Sequence, residues 1–66
     1  MFDKLRLFRK ITDITLDEVA KATGLSVGYL NRIERGYITE IKNVEKRKKL
    51  ESYVKKLKKK SEAIIG

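Results

Sequence analysis

The sequence contains no cysteine, histidine, tryptophan or proline. Without cysteine there is no disulfide framework, and without cysteine and histidine there is no thiolate or imidazole metal site. Cysteine and histidine nucleophiles, and any triad with a histidine base, are excluded as well. The Asp, Glu, Lys and Tyr that remain form no recognisable catalytic cluster, so no catalysis, metal or cofactor is expected. No apolar run approaches the roughly 20 residues a helix needs to cross a bilayer. The chain opens at Met1 without a secretory pattern, and the expected location is the cytoplasm. Sixty-six residues allow one domain, which buries only about 60% of the surface its unfolded chain exposes.

What is abundant is charge: 39% of residues are ionised and the formal net charge is +8. That composition, with 41% apolar residues, fits a small helical domain better than a disordered chain. A basic balance favours a polyanionic partner, nucleic acid or anionic lipid, without choosing between them. Its distribution is uneven. Residues 1–41 carry seven basic residues against six acidic, and residues 42–66 carry ten against three. Two regions are therefore expected: a nearly neutral core over 1–41 and a basic amphipathic helix within 42–66.

Helical periodicity organises the first region. Phe2, Leu5, Phe8 and Ile11 predict a helix over about 2–11. Asp13 follows, a residue type that tolerates turn and left-handed geometry. Thr15 and Glu18 form a capping-box pattern opening a helix over about 16–23, with Leu16, Val19 and Ala20 on its buried face. Gly24 ends that helix and Leu25 supplies the hydrophobic contact beyond it. Ser26 caps the next, which runs to about Arg35 on Tyr29, Leu30 and Ile33 and stops at Gly36. Gly28 lies inside it, either as a neutral or packing residue or to let the backbone approach a ligand. Ile38, Ile41 and Val44 recur every three residues and suggest a short fourth helix, with a break near 44–48. Beyond it, Leu50, Tyr53, Val54, Leu57, Ser61, Ile64 and Ile65 share one face of a lysine-rich helix.

Two short helices joined by a glycine-containing turn, with a third before them, is the helix-turn-helix arrangement. The residues carry a closer likeness. Ile14-Thr15-Leu16-Asp17-Glu18-Val19-Ala20-Lys21-Ala22-Thr23-Gly24-Leu25-Ser26, then Tyr29-Leu30-Asn31-Arg32-Ile33-Glu34-Arg35-Gly36, resembles the Cro/CI-type repressor family of prokaryotes and their phages. Nearly every fixed position of that family's pattern is filled, and Leu5-Arg6 with Phe8-Arg9 stand where its first-helix motif lies. The likeness covers about residues 5–36 and departs in three places. Leu16 replaces a frequent Gln, Asp13 stands where a Gly is common, and the usual Pro-Ser after Gly36 is missing. Arg47 and Lys48 stand about where apolar core residues are expected.

The resemblance implies an all-α, lambda-repressor-like bundle of four to five helices with a long basic C-terminal helix. It further implies a DNA-binding transcriptional regulator, in all expectation a repressor, bound as a homodimer to an inverted-repeat operator. The helix at about 26–35 would enter the major groove. Val27, Gly28 and Arg32 match the family's base-reading positions, and Ser26 and Asn31 lie close to DNA. Tyr29 is either core edge or phosphate donor, and Arg35 completes the candidate surface. Arg9 and Glu34 match an ion pair tying the first helix to the end of the third.

The basic helix has three readings: a solvated face, a dimerisation helix pairing through Leu50, Tyr53, Val54, Leu57 and Ile64, or a phosphate-binding arm. An amphipathic membrane anchor is disfavoured by the lack of Trp or Phe after residue 8. Two rivals to the repressor remain: a protein-interaction module such as an antitoxin or anti-repressor partner, and an architectural or excisionase-like DNA protein. The second usually carries a winged helix, and no alternating hairpin pattern exists here.

Overall fold

The computed structural model describes Phe2 and residues 4–65. Among these the chain forms four α-helices and no strand: α1 (Leu5–Ile11), α2 (Leu16–Thr23), α3 (Val27–Glu34) and α4 (Val44–Ile65). Local chemistry sets each boundary. At the end of α1 the Ile14 amide donates to the Arg9 carbonyl and the Asp13 amide to that of Lys10, a Schellman closure. It holds Asp13 at φ 57°, the left-handed conformation usually left to glycine.

The capping box of α2 closes in both directions. The Glu18 amide donates to Thr15 Oγ1 at 3.3 Å, and the Thr15 amide to Glu18 Oε2 at 2.9 Å. Ser26 Oγ accepts the Tyr29 amide at 3.1 Å and opens α3. A second Schellman closure ends it, with Tyr37 donating to the Arg32 carbonyl and Gly36 to that of Ile33. Gly24 and Gly36 sit at φ 77° and 83°, where a side chain costs about 1–2 kcal/mol.

The segment between α3 and α4 departs from its three-residue pattern. Residues 38–43 form no helix, and Ile41 instead inserts as a plug into the core. Asn43 Oδ1 accepts the Lys46 amide and fixes the start of α4 at Val44, whose own side chain is exposed. The bundle thus has four helices where four to five were expected, and α4 begins six residues before the first member of the expected stripe.

A single hydrophobic cluster joins Phe2, Leu5, Val19, Leu25, Leu30, Ile33, Ile41, Leu50 and Leu57. Leu50 and Leu57 supply from α4 the apolar bulk that Arg47 and Lys48 do not. Tyr53 and Val54 pack partly against the same cluster. Most of the apolar stripe of α4 is therefore spent on α1 and α2 of its own chain. Ile64, the last member named for dimerisation, and Ile65 are left exposed at 63% and 69%. Ile65 and half-exposed Leu7 border a shallow groove floored by Phe8 and Ile11 and edged by Ser61 and Glu62.

One fully buried polar residue lies where α2 turns into α3. Thr23 Oγ1 donates to the Val19 carbonyl at 2.8 Å and accepts the Leu25 amide at 3.3 Å, so its burial leaves nothing unpaired.

Candidate nucleic-acid interface

Helix α3 is held from two sides, and that leaves a third face open. Leu30 and Ile33 point into the core. Helical spacing then sends Gly28, Asn31, Arg32 and Arg35 to the opposite side, and all four are exposed. Val27 and Glu34 lie on one flank and Tyr29 on the other.

The Glu34 flank is tied to α1 by a bidentate ion pair. Arg9 Nε donates to Glu34 Oε2 at 2.9 Å and Nη2 to Oε1 at 3.0 Å, while Nη1 reaches the Ile14 carbonyl at 3.3 Å. The side chains are only 13% and 4% exposed. Hydrogen bonding to Glu34 raises the Arg9 pKa against the opposing pull of burial, and the carboxylate charge adds to the rise. One guanidinium thus joins the end of α3, the end of α1 and the turn before α2, which fixes the angle at which α3 is presented.

The Tyr29 flank faces a groove between the α2–α3 turn and the start of α4. Gly24, Leu25, Ser26 and half-buried Tyr29 line one wall, and Ile38, Glu40, Ile41, Lys42 and Lys46 the other, so a carboxylate stands there beside the two cations. The Ser26 oxygen is engaged as a cap, whereas the amides of Val27 and Gly28 belong to the first turn, which has no intrahelical partners. Free amides at a helix start attract anions. Among the described residues no carboxylate pairs with Arg32 or Arg35. Their charges, unlike that of Arg9, are available to a ligand.

Every residue expected on the reading surface therefore lies on or beside one face, with Tyr29 at its edge. Three neighbours were missed. Tyr37, 76% exposed directly after the Gly36 turn, extends the surface at the end of α3. Lys42 and Lys46 were lost in the bulk count of the basic tail. The one available signal was Asn43, whose capping of α4 sends Lys46 toward the α2–α3 turn.

A model of helix-turn-helix proteins matches residues 5–46, from the start of α1 through the first turn of α4. The chain belongs to the helix-turn-helix family. The match runs beyond Gly36 and takes in the plug at Ile41 and the Asn43 cap. As a helix-turn-helix protein it is a DNA-binding regulator of transcription in general type, from a family that is not typically enzymatic. Neither a curated protein nor a solved structure matches it. No helix among the described residues is long and apolar enough to cross a membrane.

Proposed function

We propose that this helix-turn-helix protein is a Cro/CI-type repressor that reads the major groove with α3 and binds as a homodimer to an inverted repeat. The observation that carries this is the outward face of α3, where Arg32, Asn31 and Gly28 stand together opposite a fully buried Leu30. Arg32 would take O6 and N7 of a guanine, a contact worth about 1–3 kcal/mol of discrimination. Asn31 would read an adenine edge or hold a phosphate, and Val27 would meet a thymine methyl. Gly28 would let the backbone come close, and Ser26 and Tyr29 would lie against the backbone. Arg35 would add a phosphate contact at the far end of the helix.

A two-fold dimer would set two such helices about one DNA turn, 34 Å, apart. With Leu50 and Leu57 committed to the core, the self-pairing surface of this reading is the uncovered patch of Leu7, Ile64 and Ile65. Occlusion of polymerase at the operator is sufficient as a mechanism.

Selection of bound duplexes from a random pool tests the proposal. Recovery of an inverted repeat is expected. Uniform, salt-sensitive recovery would make the protein architectural, and absence of binding at low salt would leave a protein-interaction module. In the Arg32→Ala variant specificity should relax at one base pair per half-site; equal loss on every sequence would refute base reading by Arg32.

A further inference from the structure

Six exposed lysines of α4 come in three adjacent pairs: Lys48-Lys49, Lys55-Lys56 and Lys59-Lys60. The pairs are seven and then four residues apart, so each stacks above the last on one face of the helix. At 3.6 residues per turn the six occupy about 140° of arc, on the side away from Leu50 and Leu57. Between the first pair and the last that arc holds no carboxylate, and only Ser52 shares it. Glu45 precedes the ladder, Glu62 follows it, and Glu51 lies off it, held by Arg47 at 3.5 Å. Among the described residues none of the six lysines is in an ion pair.

A helix face that needs only to be solvated mixes both signs. This one stacks like charges a turn apart, Lys55 with Lys59 and Lys56 with Lys60, an arrangement that weakens a helix. A polyanion laid along the ladder removes that repulsion. The row from Lys48 to Lys60 is about 18 Å long at 1.5 Å per residue. Duplex DNA presents about one charge per 1.7 Å of its axis, so phosphates are ample over that length. An anionic bilayer matches the charge but lacks a second anchor. Stable attachment needs an inserted apolar group beside the basic residues, and the leucines of α4 are turned inward.

The duplex read by α3 does not reach this face. Helix α2 packs on both α3 and α4 and stands between them. Leu30 and Ile33 of α3 and Leu50 and Leu57 of α4 point into one cluster, so the solvent faces of the two helices look away from it in different directions. Only the start of α4 lies beside the α2–α3 turn, with Lys46 Cε 3.9 Å from where a Cβ on Gly24 would be. Lys55 and Lys59 stand about 14 and 20 Å further along the axis, beyond the Debye length of about 10 Å at 0.1 M salt. We infer that the lysine ladder holds a second DNA duplex, through its phosphates and without regard to sequence, while α3 reads the first. One molecule then joins two duplexes. The joining rests on the DNA-reading role of α3 proposed above.

Energy transfer tests this, between a donor-labelled duplex carrying the selected site, saturated with the full chain, and an acceptor-labelled duplex of mixed sequence. Transfer is expected, and affinity for the second duplex should fall with salt at a slope of about −5.4 for six contacts per protomer. The Lys55→Gln/Lys56→Gln/Lys59→Gln/Lys60→Gln variant should lose about 3.6 of that slope while binding the selected duplex as tightly as the parent. It should melt no lower than the parent, because like charges are removed, and arginine at the same four positions should preserve transfer. Lys4→Gln/Arg6→Gln/Lys10→Gln, which takes charge from around α1 instead, should leave the slope unchanged. No transfer on an occupied site, or equal slopes in the parent and the quadruple variant, would overturn the second site and leave base reading by α3 standing. Sedimentation of the chain with phosphatidylglycerol-containing vesicles, lost in the quadruple variant and accompanied by no transfer, would overturn it in favour of a membrane. Binding of mixed duplexes that disappears in the quadruple variant, with no sequence ever selected, would overturn the role of α3 and with it the joining of two duplexes.

Discussion

Gly28 offers a substitution in which stability and binding should move in opposite directions. It lies in the first turns of α3, where glycine costs up to about 1 kcal/mol relative to alanine because more backbone freedom is lost on folding. Its φ is not in the left-handed region, so alanine adopts the conformation without strain. A Cβ built there meets nothing within 4 Å. The fold therefore has no packing reason to keep glycine, and Gly28→Ala should raise stability. For a domain of this size 1 kcal/mol moves the melting temperature by about 4–8 °C, so a rise of up to that amount is expected in a thermal scan. If α3 enters the major groove, the same methyl occupies space that the helix backbone shares with DNA. The expected loss is comparable to one mismatched base pair, about 1–3 kcal/mol, or roughly 5- to 140-fold in affinity. Anisotropy on a selected duplex measures it. A variant that melts higher and binds as tightly as the parent would refute close approach at Gly28 and leave it a neutral residue of an exposed helix.

The Arg9–Glu34 pair should be read in the melting temperature as well as in binding. Arg9→Ala leaves a 4% exposed carboxylate without its donors, a loss of about 3–5 kcal/mol. The whole domain is worth only about 3–10 kcal/mol at 0.05–0.15 kcal/mol per residue, so a drop of at least about 12 °C is expected. The Arg9→Met/Glu34→Leu double variant should recover most of it, because paired burial is replaced by apolar packing. Lost DNA affinity with unchanged melting in Arg9→Ala would show that the pair is not structural. A third prediction concerns alkaline pH. Burial, with the Glu18 carboxylate adding, raises the Tyr53 pKa above 10.0. The folded state then holds the phenol proton more tightly than the unfolded chain does. That contribution is complete below pH 10.0 and is lost as pH rises through the higher folded value. Tyr53→Phe should melt with a shallower decline above pH 10 than the parent, measured by circular dichroism, and parallel declines would refute it.

The parts of the fold that sequence made legible are those governed by short-range chemistry. Thr15 with Glu18, Ser26, Gly24 and Gly36 are local devices, and the observed α2, Leu16–Thr23, has the limits they imply. The left-handed turn at Asp13 was open to the same reasoning. Residues 38–44 were not, because Ile38, Ile41 and Val44 repeat at a spacing that a helix and a core-plugging loop can share. Asn43 decides between them, but a cap acquires meaning only once the helix it starts is known.

The apolar stripe of α4 shows a different limit. Periodicity says that one face is covered and not by what. An intramolecular core and a dimer seam demand the same spacing at Leu50, Tyr53, Val54 and Leu57. Only the packing against α1 and α2 separates them, and it leaves Ile64 as the member without an internal partner. Of the candidate surface, the outward set of Gly28, Asn31 and Arg32 followed from the buried positions of α3 alone. Lys46 did not, since its neighbour Gly24 is 22 residues away in sequence and the two approach through the loop at Ile41.

Net charge and DNA affinity are separate quantities in this molecule, and the separation is physical. The electrostatic part of binding counts phosphates neutralised, not lysines carried. If all ten cations of residues 42–60 reached the backbone, the salt slope would be near −9 per protomer at about 0.9 each. The geometry removes Arg47 to Glu51 and turns seven lysines outward along α4. Of the ten, Lys42 and Lys46 then remain beside the α2–α3 turn, and two phosphate contacts would give a slope of about −1.8. Those outward lysines still act on the folded chain. They keep the outer face of α4 solvated while its inner face spends its leucines on the core. After Lys60 the helix carries no further cation, and Ile65 there lines a groove with Leu7 of α1. The lysine run is thus no measure of affinity for the duplex that α3 reads, because only cations that reach a phosphate enter the salt slope.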